Sequence, residues 1–139
     1  MAEYAQLNLK DDVENVAERF GLAPGLEARY GRKPLAIAGG GLSYQKLAAN
    51  SRPPTAHRHR THEEVYIALA GSGRVKIEDE VRDVRRWDAI RLAPGVARAF
   101  EAGPDGLELI AVGFGDAGDT EMLEDFWAAP TERVPEQED

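Results

Sequence analysis

Short β-prone runs alternate with turn residues along most of the chain. Between residues 27 and 113 the runs are separated by turn signals about every eight to twelve residues. The signals include Pro53-Pro54, Gly71-Ser72-Gly73 and Pro94-Gly95. No helix-length period interrupts the runs, so the pattern predicts an antiparallel sandwich or barrel. The predicted strands are Leu35–Ala38, Leu42–Ala48, Thr55–His59, Glu64–Ala70, Arg74–Ile77, Glu80–Arg85, Ala89–Leu92, Arg98–Glu101 and Leu107–Phe114.

A helical period occurs near the N-terminus. Over residues 11–20, apolar side chains fall at i, i+3, i+4 and i+7, which predicts a short amphipathic helix that covers the core. Gly21 is a suitable helix end. The stripe consists of Val13, Val16, Ala17 and Phe20.

A second helix is predicted over residues 119–127, with Asp119 or Thr120 as its N-cap. Residues 131–139 are acidic and nearly free of apolar side chains, which predicts a frayed tail. The predicted organisation is an N-terminal helical segment at 1–26, a β-barrel at 27–115, and a C-terminal helix with an acidic tail at 116–139.

Composition narrows the class of protein. The chain has 139 residues and a net charge of −8, and an acidic surface of this kind disfavours nucleic acid as a partner. Thiol catalysis and disulfides are excluded because there is no cysteine. No apolar run approaches the roughly 20 residues that span a bilayer. The first residues lack the features of a secretion signal, so we expect a soluble cytoplasmic protein.

The candidate chemistry lies in one short segment. All three histidines, His57, His59 and His62, lie within six residues and are followed by Glu63 and Glu64. His57 and His59 share one face of a strand, and Glu64 comes level with them if its strand pairs with the first. Two imidazoles and a carboxylate suit Fe, Mn, Ni, Zn or Cu. The alternative is a pair of polar side chains on a solvated sheet face.

The segment His57-x-His59-x4-Glu64-x6-Gly71 resembles the first motif of the cupin superfamily at every spacing. Residues 87–100 resemble the second motif, although Trp87 stands where glycine is usual and Pro94-Gly95 is shorter than the usual turn. The resemblance covers about residues 41–113. It implies a double-stranded β-helix, or jelly-roll barrel, a homodimer, and one divalent transition metal on His57, His59 and Glu64.

Arg98 departs from that pattern, because it stands where the second motif usually supplies a histidine ligand. Arginine stays protonated and cannot ligate a metal. Three arrangements remain open. Arg98 forms a salt bridge with Glu64 in a metal-free barrel, or it clamps an acidic ligand beside a metal held by His57, His59 and Glu64. In the third arrangement it points away and His62 supplies the substitute imidazole.

Two classes of function follow. The first is a binding module that holds a small molecule in the barrel, with Arg98, Tyr66, Gln45 and Phe100 as ligand-contacting candidates. The alternative is a metal-dependent dioxygenase or isomerase that uses the two-histidine, one-carboxylate site. The fold does not decide between them, because one fold hosts many activities. The missing histidine favours the binding module. Glu63 is the alternative carboxylate if the strand register shifts by one residue.

Overall fold

The computed structural model describes residues 2–127. The described chain is almost entirely β-structure, with one 3-10 turn and one four-residue helix. In chain order the elements are the 3-10 turn Ala17–Phe20, β1 Leu26–Tyr30, α1 Arg32–Leu35, β2 Gly40–Leu47, β3 His57–His59, β4 Glu63–Ile77, β5 Glu80–Arg85, β6 Ala89–Leu92, β7 Arg98–Phe114 and β8 Thr120–Met122.

Strands β4 and β7 form the spine of the barrel. They pair antiparallel over their whole length, from Glu63 opposite Phe114 to Ile77 opposite Arg98. The second edge of β4 pairs with β6 and β5, whereas that of β7 pairs with β2 and, at Arg98, with β3. Strands β1 and β8 complete the sheet on β2 and β3. The predicted all-β barrel is confirmed.

Glycine-rich bulges bend the two long strands. The ladder skips a residue at Gly71/Gly73, opposite the Gly103–Gly106 segment of β7. Gly71 has φ +78°, and a Cβ there would lie 2.0 Å from the Gly106 carbonyl oxygen, so the crossing requires glycine. The sequence predicts a strand break at each of these turn signals. The structure shows instead that pairing continues through the bends, because both strands bulge at the same place.

The core fills the inside of the barrel. Tyr66 and Phe100 pack with their ring centroids 4.7 Å apart, and Leu92, Leu107 and Leu109 are buried around them. A second apolar cluster joins Ala56, Ala99 and Trp127. The core adjoins a group of polar side chains, since the Arg98 guanidinium lies 5.9 Å from the centre of the Tyr66 ring.

The predictions for the chain ends are wrong. Only the 3-10 turn at Ala17–Phe20 forms within 11–20, because backbone N–H groups bond locally and to β1 rather than along a helix. Residues 119–127 contain β8 instead of a helix, since pairing with β3 satisfies their backbone. The predicted strand Leu35–Ala38 does not form, because Leu35 is the last residue of α1 and Ala36 ends that helix in the left-handed region. The predicted tail at 131–139 lies outside the described residues.

The start of the sheet was also missed. Strand β1, Leu26–Tyr30, pairs with β2 although its sequence carries a charged residue at every second position. No helix within residues 2–127 is long and apolar enough to cross a membrane.

Candidate functional site

Strands β3, β4 and β7 bring the predicted cluster together. The donor atoms of His57, His59 and Glu64 all lie within 4.8 Å of one another. The sequence predicts that β3 pairs with β4. In the structure β3 pairs with β7 and β8 instead. Glu64 instead reaches the histidines across the barrel, because β4 and β7 curl together. The predicted convergence is confirmed, by a different route.

Arg98 lies in the middle of this cluster. Its Nη1 donates to Glu64 Oε1 at 3.0 Å and lies 3.4 Å from His57 Nε2. The residue is completely buried. The sequence left three arrangements of Arg98 open. The structure contains the salt bridge with Glu64 that defines the first of them. Its remaining nitrogens, Nε and Nη2, make no hydrogen bond within the described part of the chain.

His57 is held as a neutral imidazole. Its Nδ1 lies 2.8 Å from the Thr55 carbonyl oxygen, an acceptor, so Nδ1 carries the proton. The unprotonated Nε2 therefore faces the Arg98 guanidinium as an acceptor. Burial lowers the pKa of His57, and the charge of Arg98 lowers it further. The lone pair that a metal would use is directed at Arg98.

His59 lies between two carboxylates. Its Nε2 is 3.3 Å from Glu64 Oε1 and its Nδ1 is 3.1 Å from Asp119 Oδ1. Burial by itself would lower the pKa of His59, but the hydrogen bonds to Glu64 and Asp119 outweigh burial and raise it. The Thr120 hydroxyl lies 3.3 Å from the same Nδ1. A cation on this imidazole is stabilised from both sides.

The pKa values of the two carboxylates that flank His59 are both lowered. Burial opposes ionisation of Glu64, but its bonds to His59 and Tyr66 and the charge of Arg98 keep its pKa below the ordinary value. Asp119 likewise has a lowered pKa, since its bonds to Thr61 and His59 outweigh burial. Both carboxylates are therefore ionised at neutral pH, with Arg98 beside Glu64 and with His59 between Glu64 and Asp119.

These residues do not fit a metal at the position that the cupin resemblance implies. An ion bound to His57 and Glu64 at about 2.0–2.2 Å would lie beside the Arg98 nitrogen that contacts the same two atoms. Two like charges about 4 Å apart repel by roughly 4 kcal/mol at an effective dielectric of 20. The donor set is of the right chemistry, but the guanidinium contacts two of its three residues, at His57 Nε2 and Glu64 Oε1.

A cavity opens beside the cluster at the mouth of the barrel. Its volume is about 180 Å3. Its walls combine ionisable side chains with a floor of small residues, so the backbone of β7 is approachable from it. The lining includes Tyr30, Arg32, Ser43, His59, His62, Glu64, Ala111, Gly113, Gly115, Asp119 and Thr120.

Asp119, Arg32 and Tyr30 were missed by the sequence reasoning. Asp119 was expected only as a helix cap, yet it contacts His59, His62 and Thr61. The three residues lie on segments far along the chain from the histidines. No local spacing signals such a contact, and only the pairing of β8 with β3 brings Asp119 in.

His62, the proposed substitute imidazole, lies next to His59 with ring centroids 4.0 Å apart. It does not contact His57 in this arrangement but faces Asp119 and the mouth. Glu63 points outward, half-exposed, and its carboxylate lies 3.5 Å from Arg91. The register therefore makes Glu64, not Glu63, the inward carboxylate.

The ligand-contacting candidates lie behind the cavity. Tyr66 and Phe100 are buried in the core, and burial together with Glu64 raises the pKa of the Tyr66 phenol well above its ordinary value. Gln45 lies two residues after Ser43 on β2 and is not among the residues that line the cavity. Its amide donates to the Ser43 hydroxyl. Arg98 lies behind Glu64. Contact of these four residues with a ligand stays a prediction.

Comparison with known proteins agrees on the fold. No protein-family model matches the sequence, and no curated protein matches it significantly. Among solved structures, a cupin protein from Bacteroides fragilis has 24% identity and a TM-score of 0.67, covering 91% of this chain and 95% of that one. The polyketide cyclase RemF from Streptomyces resistomycificus has 17% identity and a TM-score of 0.74, covering 96% and 97%.

A third similar structure is oxalate decarboxylase from Bacillus subtilis, at 21% identity and a TM-score of 0.71. The match covers 99% of this chain but 37% of that one. At these identities the likeness establishes the fold and not the activity. The chain has the fold of the cupin superfamily, as its motif predicts.

Proposed function

We propose that the barrel binds a small carboxylic acid in its mouth cavity, with no metal at the His57–Glu64 position. The observation that carries the proposal is the charge of the cavity wall. Glu64 is neutralised by Arg98 and Asp119 faces His59. Arg32, in contrast, donates to the Gly115 carbonyl at 3.2 Å and has no carboxylate partner among the described residues. An anion in the cavity would supply that partner.

The size of the cavity limits the ligand. A volume of about 180 Å3 equals about six water molecules at 30 Å3 each, and lies below the roughly 300 Å3 of common drug-sized sites. A compact acid of up to about ten non-hydrogen atoms is the class that fits. Oxalate, the substrate named for the decarboxylase of similar fold, falls in this range.

The electrostatics of His59 support the same class. The hydrogen bonds to Glu64 and Asp119 outweigh burial and raise the pKa of His59, which favours its protonated form on the cavity wall. Buried hydrogen bonds to charged groups contribute about 1.5–3 kcal/mol each. Arg32 is the group that would pair with the ligand carboxylate, because both nitrogens of His59 already face Glu64 and Asp119. No catalytic step is required by this arrangement.

We do not propose a metal-dependent dioxygenase or isomerase on His57, His59 and Glu64. That function requires free lone pairs on His57 and Glu64, and Arg98 contacts both. The predicted homodimer and cytoplasmic location stay predictions, which light scattering and cell fractionation would check.

The test is titration of EDTA-treated protein by isothermal calorimetry. Oxalate should bind, and its uncharged isostere oxamide should bind at least about tenfold more weakly, since it lacks the charge that Arg32 pairs with. Arg32→Met should weaken oxalate about tenfold, whereas Arg86→Met, on an exposed arginine outside the cavity, should leave it unchanged. Equal binding of oxalate and oxamide, or no binding of either, would contradict the proposal.

A further inference from the structure

Three metal-binding side chains meet at the outer edge of the cavity, one step away from the Arg98 cluster. The imidazole nitrogens of His59 and His62 face the same carboxylate, that of Asp119. His59 Nδ1 is 3.1 Å from Oδ1, and His62 Nδ1 is 2.9 Å from Oδ2. The three donor atoms lie within 4.8 Å of one another.

The His62 nitrogen has no hydrogen-bond partner in the described chain. Nδ1 of His62 is buried, and its approach to Asp119 lacks the alignment of a hydrogen bond. The whole residue is only 9% exposed, and it lines the cavity. A buried polar nitrogen without a partner is costly unless something else binds it.

The spacing of the donors suits a tetrahedral ion. Bonds of about 2.0–2.1 Å in a tetrahedron place neighbouring donors roughly 3.3 Å apart. His59 and His62 approach different oxygens of Asp119, at 3.1 and 2.9 Å, and the three donor atoms that one ion would take lie within 4.8 Å of one another. Two imidazoles and one carboxylate are ligands that zinc and related ions accept.

The surroundings already orient the ligands. The second nitrogen of His59 faces Glu64, which Arg98 holds in turn. A metal-binding histidine almost always donates its other N–H to such an acceptor. Arg98 thus converts Glu64 from a metal ligand into the group that orients His59.

Asp119 is oriented as well. Its Oδ2 accepts from the Thr61 amide and hydroxyl, both at 3.0 Å, and from the His62 amide at 3.2 Å. These bonds fix the turn between β3 and β4. A purely structural clamp would explain these contacts, but it would not require two imidazole nitrogens on the same carboxylate.

Room for the His62 ring comes from two glycines, Gly113 near the end of β7 and Gly115 just after it. A Cβ on Gly113 would lie 3.3 Å from His62 Nε2, and one on Gly115 would lie 2.7 Å from His62 Cβ. These glycines let the His62 ring lie against the strand, beside His59. A fourth coordination position would face the cavity.

We propose that His59, His62 and Asp119 form a binding site for a divalent transition ion such as zinc, displaced to the barrel mouth from the position that Arg98 occupies. The site shares only His59 with the motif set of His57, His59 and Glu64. It goes beyond the binding of an acid, which is tested in EDTA without any metal, so the two proposals fail separately.

The experiment is zinc titration of the EDTA-stripped, full-length protein by calorimetry, with elemental analysis after gel filtration. We expect one zinc per chain. His62→Ala and Asp119→Asn should each weaken zinc at least about 100-fold. His57→Ala is the matched control. It removes an imidazole of the motif set and leaves His59, His62 and Asp119 in place. It should bind zinc within threefold of the wild-type protein.

Three results would overturn the site. The wild-type protein does not bind zinc, His62→Ala binds it as tightly as the wild type, or His57→Ala loses it. The last result would place the ion at the motif position instead. Because Asp119 also fixes a turn, urea unfolding of each variant is measured alongside. A folded His62→Ala variant is sufficient for the decision if Asp119→Asn does not fold.

Discussion

Glu64 and Glu101 are both held by arginine, but they lie in different parts of the molecule. Glu101 lies on β7 outside the barrel mouth, where Arg74 donates twice to Oε1, at 2.6 and 2.8 Å. Arg52 donates to Oε2 at 2.8 Å, and its guanidinium lies 4.4 Å from the centre of the Trp127 ring. Both oxygens of Glu101 are therefore satisfied by partners that are themselves packed.

The Glu64 cluster is different because its ionisable groups are not all satisfied, whereas near Glu101 the described residue that lacks a hydrogen bond is the uncharged Trp127 Nε1. Arg98 keeps two nitrogens and His62 keeps one without a hydrogen bond in the described chain. Glu101 and its arginines are 18–36% exposed, whereas Arg98 is fully buried. A satisfied surface ion pair stabilises an edge of the fold, whereas buried polar atoms without partners indicate a site that receives something.

The largest expected effect is on folding stability. Arg98→Met removes a fully buried cation that contacts Glu64, and breaking a buried ion pair costs about 3–5 kcal/mol. Arg74→Met leaves Glu101 with Arg52 near the surface, and a pair of this kind contributes at most about 1 kcal/mol. Urea unfolding of both variants measures the difference. Equal losses would show that the two clusters do not differ as described.

A second prediction concerns the metal position that Arg98 blocks. In a His62→Ala background, which removes the mouth site, Arg98→His should gain zinc binding of at least about 100-fold, since roughly 4 kcal/mol of repulsion is removed. Calorimetry measures the gain. It should disappear when His57→Ala is added. A gain that does not depend on His57 would mean that the motif residues do not hold the ion.

A third prediction tests the space in the mouth. A Cβ at Gly113 would lie 3.3 Å from His62 Nε2, so Gly113→Ala should weaken oxalate by about 1 kcal/mol, or roughly fivefold. Gly103→Ala is the matched control, because its Cβ would meet Ser72 at the same 3.3 Å near Glu101. Oxalate titrations of both variants decide the point. Equal weakening would indicate a general effect on the fold.

The smallest expected effect is a pH dependence from Glu101. Burial would raise its pKa, but the bonds to Arg74 and Arg52 lower it. A carboxylate with a lowered pKa contributes stability above its unfolded pKa, and this contribution is lost as the pH falls through the folded pKa. Because the pair is near the surface, the loss is below about 1 kcal/mol. Between pH 7 and pH 3, the free energy of unfolding should fall more for the wild type than for Glu101→Gln. Parallel curves of the two proteins would contradict this.

How far the sequence goes can be seen element by element. The strands Glu80–Arg85 and Ala89–Leu92 form where the local pattern predicts them. The residues 11–20 and 119–127 show helical periods, but tertiary pairing gives a 3-10 turn and a strand instead. The secondary structure of a short segment with an apolar stripe depends on its tertiary contacts, because helix nucleation is unfavourable.

The sequence by itself determined the barrel class and placed His57 and His59 on one strand face, because strand alternation and motif spacing are local properties. Only the tertiary structure decided how Glu64 reaches them and what that convergence means. Arg98 reaches Glu64 across 34 residues, Asp119 reaches His62 across 57, and Arg32 reaches Gly115 across 83. Contacts of this range depend on which strands become neighbours. No periodicity in the chain encodes that, so it became visible only once the sheet had curled.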